Sequence, residues 1–335
     1  MAIVDYEHFS KETNGFLSNW FDLLGDCFPQ ADGSGPFGYG RAARGFQFGR
    51  NLSPAINDFF VQFHFYLPST AALDPPTTFL QLKNAAAADH VSFTMNFATR
   101  KIIMNYQTGS TDCTVGSFAY DSWNFLQIRV HIGNADGAIQ VWQNGTSIGS
   151  VINVDTEITG GPLCHKWTLT SGDQILFANL LIYTESGNVP NARTPETRIF
   201  AVMPNSNGFV NDFTASAGVN WECIDEQPND GDSSYVSAAS APLSELYVCP
   251  NSGAVAGSTV YAVGVELDAR KDDAGTNELD ELIRSGGTTF SAGNPSVLTS
   301  SYQRFRAIWD TDPATAAAWT VANANTAQIG FRRTS

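Results

Sequence analysis

From Leu126 to Ile132 the apolar residues fall on every second position, Leu126, Ile128, Val130 and Ile132, with Gln127, Arg129 and His131 between them. Strand side chains alternate sides, so a period of two predicts a strand with one buried face and one wet face. Asn134-Ala135-Asp136-Gly137 then supplies turn residues, and Ile139 and Val141 resume the alternation. Asn144-Gly145 follows, a pair that accepts the positive φ of tight hairpin turns. The stretch predicts a β-meander within an antiparallel sheet. Similar runs, "FFVQFHFYLP", "TTFLQLKN", "HVSFTMNF", "RKIIMNYQ" and "DQILFANLLIYTE", are separated by Gly, Pro, Asn, Asp and Ser clusters. Together they predict an all-β domain over residues 31–187, a sandwich or jelly roll.

Two flanking regions break this pattern. "SGNVPNARTPETR" is polar, aperiodic and holds two prolines, which predicts a linker at 188–198. Beyond it, "RIFAVMP", "SSYVSA", "SELYVCP", "TVYAVGVELDARKD", "NELDELIRSGGTTFSA", "YQRFRAIWD" and "NTAQIGFRR" predict a second β-sandwich over 199–335. Residues 1–30 carry Tyr6, Phe9, Phe16, Trp20, Phe21 and Phe28, and "FLSNWFDLL" suits a short helix. So many aromatics are costly in a free tail. The segment therefore reads as a docking arm contacting partners through Phe9, Phe16, Trp20 and Phe21, with packing on its own domain as the equal alternative. The expected fold class is all-β: two antiparallel jelly-roll or β-sandwich domains, a short polar linker and an N-terminal arm.

A length of 335 residues suits two domains. Apolar residues at 43% and charged residues at 15% indicate a globular chain. A net charge of −15, without clustered Lys or Arg, argues against nucleic acid. Five scattered cysteines with no CxxC pair read as free, mostly buried thiols. The first fifteen residues show no secretory pattern, so the expectation is synthesis in the cytoplasm. The longest apolar run, 175–183, is interrupted by Asn179 and is too short to span a bilayer.

Candidate chemistry is sparse. Hydrolysis of a glycosidic bond needs paired carboxylates, and in-phase strand residues can supply them. "ELDAR" places Glu266, Asp268 and Arg270 on one face, and "ELDEL" places Glu278 and Asp280 in phase, followed by Leu282. Neither set is complete, and cross-strand pairing of Glu266 and Asp268 with Arg304 and Arg306 is the plainer reading. For calcium, "DEQPNDGD" offers Asp225, Glu226, Asp230 and Asp232, and "DTD" adds Asp310 and Asp312. Solvated Asp-rich turns are the commoner explanation, so Asp230 and Asp232 are weak calcium-ligand candidates and no cofactor is expected. The five histidines are isolated; His165 adjoins Cys164, but neighbours on a strand point to opposite faces. Trp142, flanked by Gln140, lies out of phase with Ile139 and Val141 and is a candidate glycan-stacking or interface platform.

The Trp123 strand, the Asn134–Gly137 turn, "AIQVWQNGT" and "ILFANLLIYTESG" together resemble the concanavalin A/laminin-G jelly roll. "YAVGVELDARKDDAGT", "LIRSGGTTF" and "SYQRFRAIWDTDPATAAAWT" resemble a carbohydrate-binding-module jelly roll. "VDYEHF…LSNWFD", "DGDSSYV", "ARKDDAGT" and "TDPATAAAWT" are similar to structural proteins of tailed bacteriophages that join two such domains. This resemblance implies a non-enzymatic virion protein on the particle surface, tail- or fibre-associated or decorating the capsid. Its implied partners are other virion proteins and further copies of itself, with no nucleic acid and no membrane insertion. A glycan-binding adhesin for host attachment is the alternative, and a glycoside hydrolase is less favoured.

Overall fold

A computed structural model describes residues 3–7, 27–30 and 42–45 as backbone strands and residues 48–335 apart from 70–74, 115–117, 171–174, 186–191 and 227–229; side chains are described from Gly49 onward. The chain divides into two compact units, Met1–Ile199 and Phe200–Ser335.

The first unit opens with β1 (Ile3–Glu7), β2 (Cys27–Gln30), β3 (Ala42–Gly45), β4 (Phe48–Ile56) and β5 (Asp58–Leu67). β6 (Thr77–Lys83), β7 (Asp89–Asn96), β8 (Lys101–Tyr106) and β9 (Gly109–Asp112) follow. It closes with β10 (Ser122–His131), β11 (Gly137–Gln143), β12 (Thr146–Val154), β13 (Cys164–Leu169) and β14 (Leu176–Thr184). Among the described residues, one sheet runs β12-β11-β10-β5-β14-β3-β2 with β1 also on β14, and another runs β4-β13-β6-β7-β8-β9. Every pairing within them is antiparallel. The alternating residues Leu126, Ile128 and Val130 join Phe59, Phe63, Phe65, Phe79, Phe93 and Trp167 in one core. Each such buried side chain contributes about 2 kcal/mol from removed apolar area. The β11–β12 turn uses Asn144 at φ 47° and Gly145 at φ 81°, the geometry that pair was expected to supply.

The second unit contains β15 (Ser206–Asn211), β16 (Thr214–Ala215), β17 (Val236–Ser237), β18 (Leu243–Val248) and β19 (Val263–Ala269). β20 (Glu278–Ser285), β21 (Thr288–Ser291), β22 (Ser296–Val297), β23 (Gln303–Trp309) and β24 (Gln328–Arg333) complete it. Its main sheet runs β15-β18-β24-β20-β21, with β22 on β20, while β16–β17 and β19–β23 form two-stranded ladders. A six-residue helix, Val321–Thr326, is capped by the Thr320 side chain, which accepts from the Asn323 amide. The molecule is all-β in class, with antiparallel sheets throughout.

One expected strand is absent, and the flanking segments take a definite course. "RIFAVMP" forms no strand, because its apolar residues meet no ladder partner. The expected linker, 188–198, is described from residue 192 onward, where Thr194 is buried within the first unit. In the expected arm, β1 pairs with β14 and β2 with β3 in the chain's own sheet, the course of the alternative in which the segment packs on its own domain. Phe9, Phe16, Trp20 and Phe21 lie outside the described residues.

Candidate functional site

The large sheet of the first unit has a second face, built from the residues that alternate with the core set. Cross-strand register places Trp142 opposite Gln127, Gln127 opposite Gln62, and Gln62 opposite Leu181. The adjoining row is Gln140, Arg129, Phe60 and Tyr183. Directly opposed residues share a face, so aromatic and amide side chains interleave there. Phe60 stacks on Tyr183 at 5.0 Å and lies 6.4 Å from Trp142. Arg129 is paired with Asp58 and Glu185 at 3.1 and 2.8 Å.

Residues 193–197 cover this face and use its polar groups. Gln127 Nε2 donates to the Thr194 carbonyl at 2.8 Å and to Gln62 Oε1 at 3.0 Å. The Thr194 hydroxyl donates to the same Gln62 oxygen at 3.0 Å, and the Thr194 amide donates to the Tyr183 hydroxyl at 3.2 Å. His64 Nε2 lies 2.7 Å from Glu196 Oε1. That hydrogen bond, against the effect of partial burial, holds the Glu196 carboxyl below its ordinary pKa. The Arg193 guanidinium sits 5.3 Å from the Trp142 ring centroid and donates to Gln127 Oε1 at 3.3 Å, a cation–π contact. Trp142 is therefore half-buried beneath the chain's own segment, with half-buried Gln140 beside it. Gln62, fully buried, keeps its Nε2 without a hydrogen-bond partner among the described residues.

Four of the carboxylates singled out in the second unit, Glu266, Asp268, Asp280 and Asp232, are ion-paired. Asp268 meets Arg304 at 2.7 Å and Glu266 meets Arg306 at 2.7 Å, each across the β19–β23 ladder. Asp280 is buried against Arg332 at 3.0 Å and accepts from the Ser291 hydroxyl. Asp232 accepts from Arg270 at 2.9 Å and from the Tyr302 hydroxyl at 2.8 Å, contacts that lower its pKa. A guanidinium at that carboxylate opposes a second cation. Asp230 accepts from Ser234 at 3.0 Å. Among the described residues no group of three or more His, Cys, Asp or Glu could hold a metal ion.

No family model and no curated protein matches the chain. Solved structures to which it is similar include an endo-β-1,4-glucuronan lyase from the fungus Trichoderma reesei, at 9% identity and TM-score 0.38, covering 54% of this chain and 95% of that one. A Trypanosoma rangeli sialidase in complex with 2,3-difluorosialic acid matches at 10% identity and TM-score 0.38, covering 54% of this chain but only 30% of the sialidase. The cellulose-induced protein Cip1 matches at 14% identity and TM-score 0.36, covering 51% and 88%. The lyase and the sialidase are enzymes. That finding runs against the expectation of a non-enzymatic protein. None of these structures is a virion protein.

The histidine and thiol expectations resolve into packing. His90 is buried, with Nε2 3.0 Å from the Leu163 carbonyl and Nδ1 accepting from the Ile158 amide at 3.1 Å. Burial is the main cause of its lowered pKa. Burial also pushes the Cys113 and Cys164 thiols up to about 12, which suppresses the reactive thiolate. At pH 8 the native protein should leave both unalkylated by iodoacetamide over hours, while denatured protein labels fully. Rapid native labelling, read by peptide mass spectrometry, would contradict that burial.

Proposed function

We propose that the chain is a structural protein of a tailed-phage virion, displayed on the particle surface and assembling through its β-sandwich units with other virion proteins and with copies of itself. The observation that carries this reading is the covered platform. An open lectin groove leaves its aromatic and amide groups to solvent, whereas here Trp142, Gln62, Gln127 and Tyr183 are engaged by residues 193–194. The face is closed by the chain's own segment, and buried aromatic and Arg groups of this kind are the usual anchors of protein contacts, which supports a role in assembly over one in open sugar capture. Mass spectrometry of density-gradient-purified particles tests the reading. The chain should be present in a fixed copy number per particle, and its absence from intact particles would overturn the proposal.

A second reading, glycan binding for host attachment, is favoured by one observation. The covered face is not apolar, as a pure docking face would be, but interleaves Phe60, Trp142 and Tyr183 with three glutamines. Such mixed lining suits polyhydroxylated ligands, which need stacking surfaces and convergent hydrogen-bonding groups.

A further inference from the structure

We infer that the face of the large sheet beneath residues 193–197 is a latent binding site for an acidic oligosaccharide, occupied in this structure by the chain's own hydroxyl and carboxylate. The inference rests on the glycan reading and does not depend on where the chain sits in a particle.

Three positions on the face define what it accepts. At the first, Thr194 places a hydroxyl among Gln62, Gln127 and Tyr183, at 3.0 Å from Gln62 Oε1 and 3.3 Å from the Tyr183 oxygen. At the second, Glu196 places a carboxylate oxygen 2.7 Å from His64 Nε2. His64 is itself buried, with Nδ1 3.4 Å from the Asn179 amide and its ring 5.0 Å from Phe125. At the third, the flat Arg193 guanidinium lies over the Trp142 ring, where a sugar ring would stack.

The segment does not exhaust the site. Gln62 is fully buried, yet its Nε2 donor has no partner among the described residues, and an unpaired buried donor is costly. A bound hydroxyl or ring oxygen would supply the missing acceptor. A ligand carrying a carboxylate, several hydroxyls and a stackable face matches all three positions and fills this vacancy. Uronic-acid and sialic-acid oligosaccharides share that chemistry. The Glu196 side chain is about half exposed, at 49%, so its contact is the one from which displacement can start.

The test uses the full chain, a glucuronic-acid tetrasaccharide and cellotetraose as the neutral match, with titration calorimetry as the readout. The triple variant Arg193→Ala, Thr194→Ala, Glu196→Gln removes the side chains that fill the three positions and leaves the Thr194 backbone contacts as the segment's remaining hold. It should bind the acidic tetrasaccharide about tenfold more tightly than the parent chain, which corresponds to about 1.4 kcal/mol. Adding His64→Leu should abolish the preference for the acidic ligand, and adding Gln62→Leu should weaken both. Equal binding of acidic and neutral ligands would overturn the acidic assignment and leave the glycan reading standing. No binding of either would overturn both. Should the triple variant not fold, hydrogen exchange of the parent chain decides. Millimolar acidic tetrasaccharide should speed amide exchange severalfold at residues 193, 194, 196 and 197, and unchanged exchange there would overturn the inference.

Discussion

Replacing Gly330 by alanine should cost the second unit about 3 kcal/mol, the upper range for overpacking a core, and lower its urea midpoint accordingly. Gly330 sits on β24 between Leu246 of β18 and Leu282 of β20, both almost wholly buried. A methyl group there would lie 1.9 Å from the Glu245 carbonyl oxygen, 2.9 Å from its carbon and 3.0 Å from the Leu246 Cα. These are backbone atoms of a paired strand, so relief requires the β18–β24 ladder to part. Gly145→Ala is the control. That residue has φ 81° but nothing within 4 Å of the added methyl, so it carries only backbone strain, of order 1 kcal/mol. A Gly330→Ala midpoint shift no larger than that of Gly145→Ala would show that the main sheet absorbs the methyl group.

Strand alternation was legible where one side of a strand faces the large core. β10 and β11 keep Leu126, Ile128, Val130, Ile139 and Val141 on that side, and their boundaries follow from the turn residues. β12 is marked only by the Asn144-Gly145 turn before it, because as an edge strand it is largely exposed and has no strict period. β4, "FGRNLSPAI", carries Gly and Pro inside the strand, and both lower strand propensity. "RIFAVMP" misled in the opposite direction: its composition suits a strand, but pairing requires a partner edge that composition does not reveal.

The candidate site was legible in part. Phase alone puts Trp142 and Gln140 off the core face, and it aligns Glu266 and Asp268 with Arg306 and Arg304 across one ladder. What covers Trp142 was not legible, because Arg193 and Thr194 meet Gln127 across 66 and 67 residues of sequence. Thr194 and Glu196 stand in a segment whose prolines and polarity signal a linker. Side-chain hydrogen bonds to a sheet face leave no periodic trace. Gln62 and His64 do alternate with Val61, Phe63 and Phe65, the pattern of a wet face, yet both are buried because that segment lies over them. The buried acids Glu245 and Glu281 were missed for a related reason. In β18 and β20 both faces are largely buried, so alternation cannot mark which polar residue is inside.

Those two acids should make the second unit more stable in mild acid than at neutral pH, against the usual trend for paired carboxylates. Register sets Glu245 and Glu281 on either side of Phe331, two strand spacings or about 10 Å apart. Glu245 accepts from the Phe213 amide at 2.9 Å and Asn220 Nδ2 at 3.0 Å. Burial nevertheless dominates and raises its pKa, with Asp212 adding like-charge repulsion. Burial likewise raises the Glu281 pKa, with Asp280 adding to it. Arg333, in the neighbouring row of the same face, donates instead to the Ala238 carbonyl and Asn277 Oδ1, each at 2.6 Å. A carboxyl whose folded pKa exceeds its unfolded value stabilises the fold fully below the unfolded value, near ~4.3 for glutamate, and loses that contribution as pH rises through the folded value. Asp312 works in the other direction. Burial alone would raise its pKa, but hydrogen bonds from Ser285, the Ala314 amide, Asn323 and Thr315 outweigh it, so its contribution is lost only as pH falls below the ordinary aspartate range. Stability of the second unit should therefore rise as pH drops from neutral toward about 4 and decline again at lower pH. Glu281→Gln should flatten the upper part of that profile and raise the neutral-pH urea midpoint, while Asp312→Asn should flatten only its acid limb. A parent profile that rises monotonically from pH 5 to neutral, unchanged by Glu281→Gln, would show that both acids remain ionised without penalty inside the sheet.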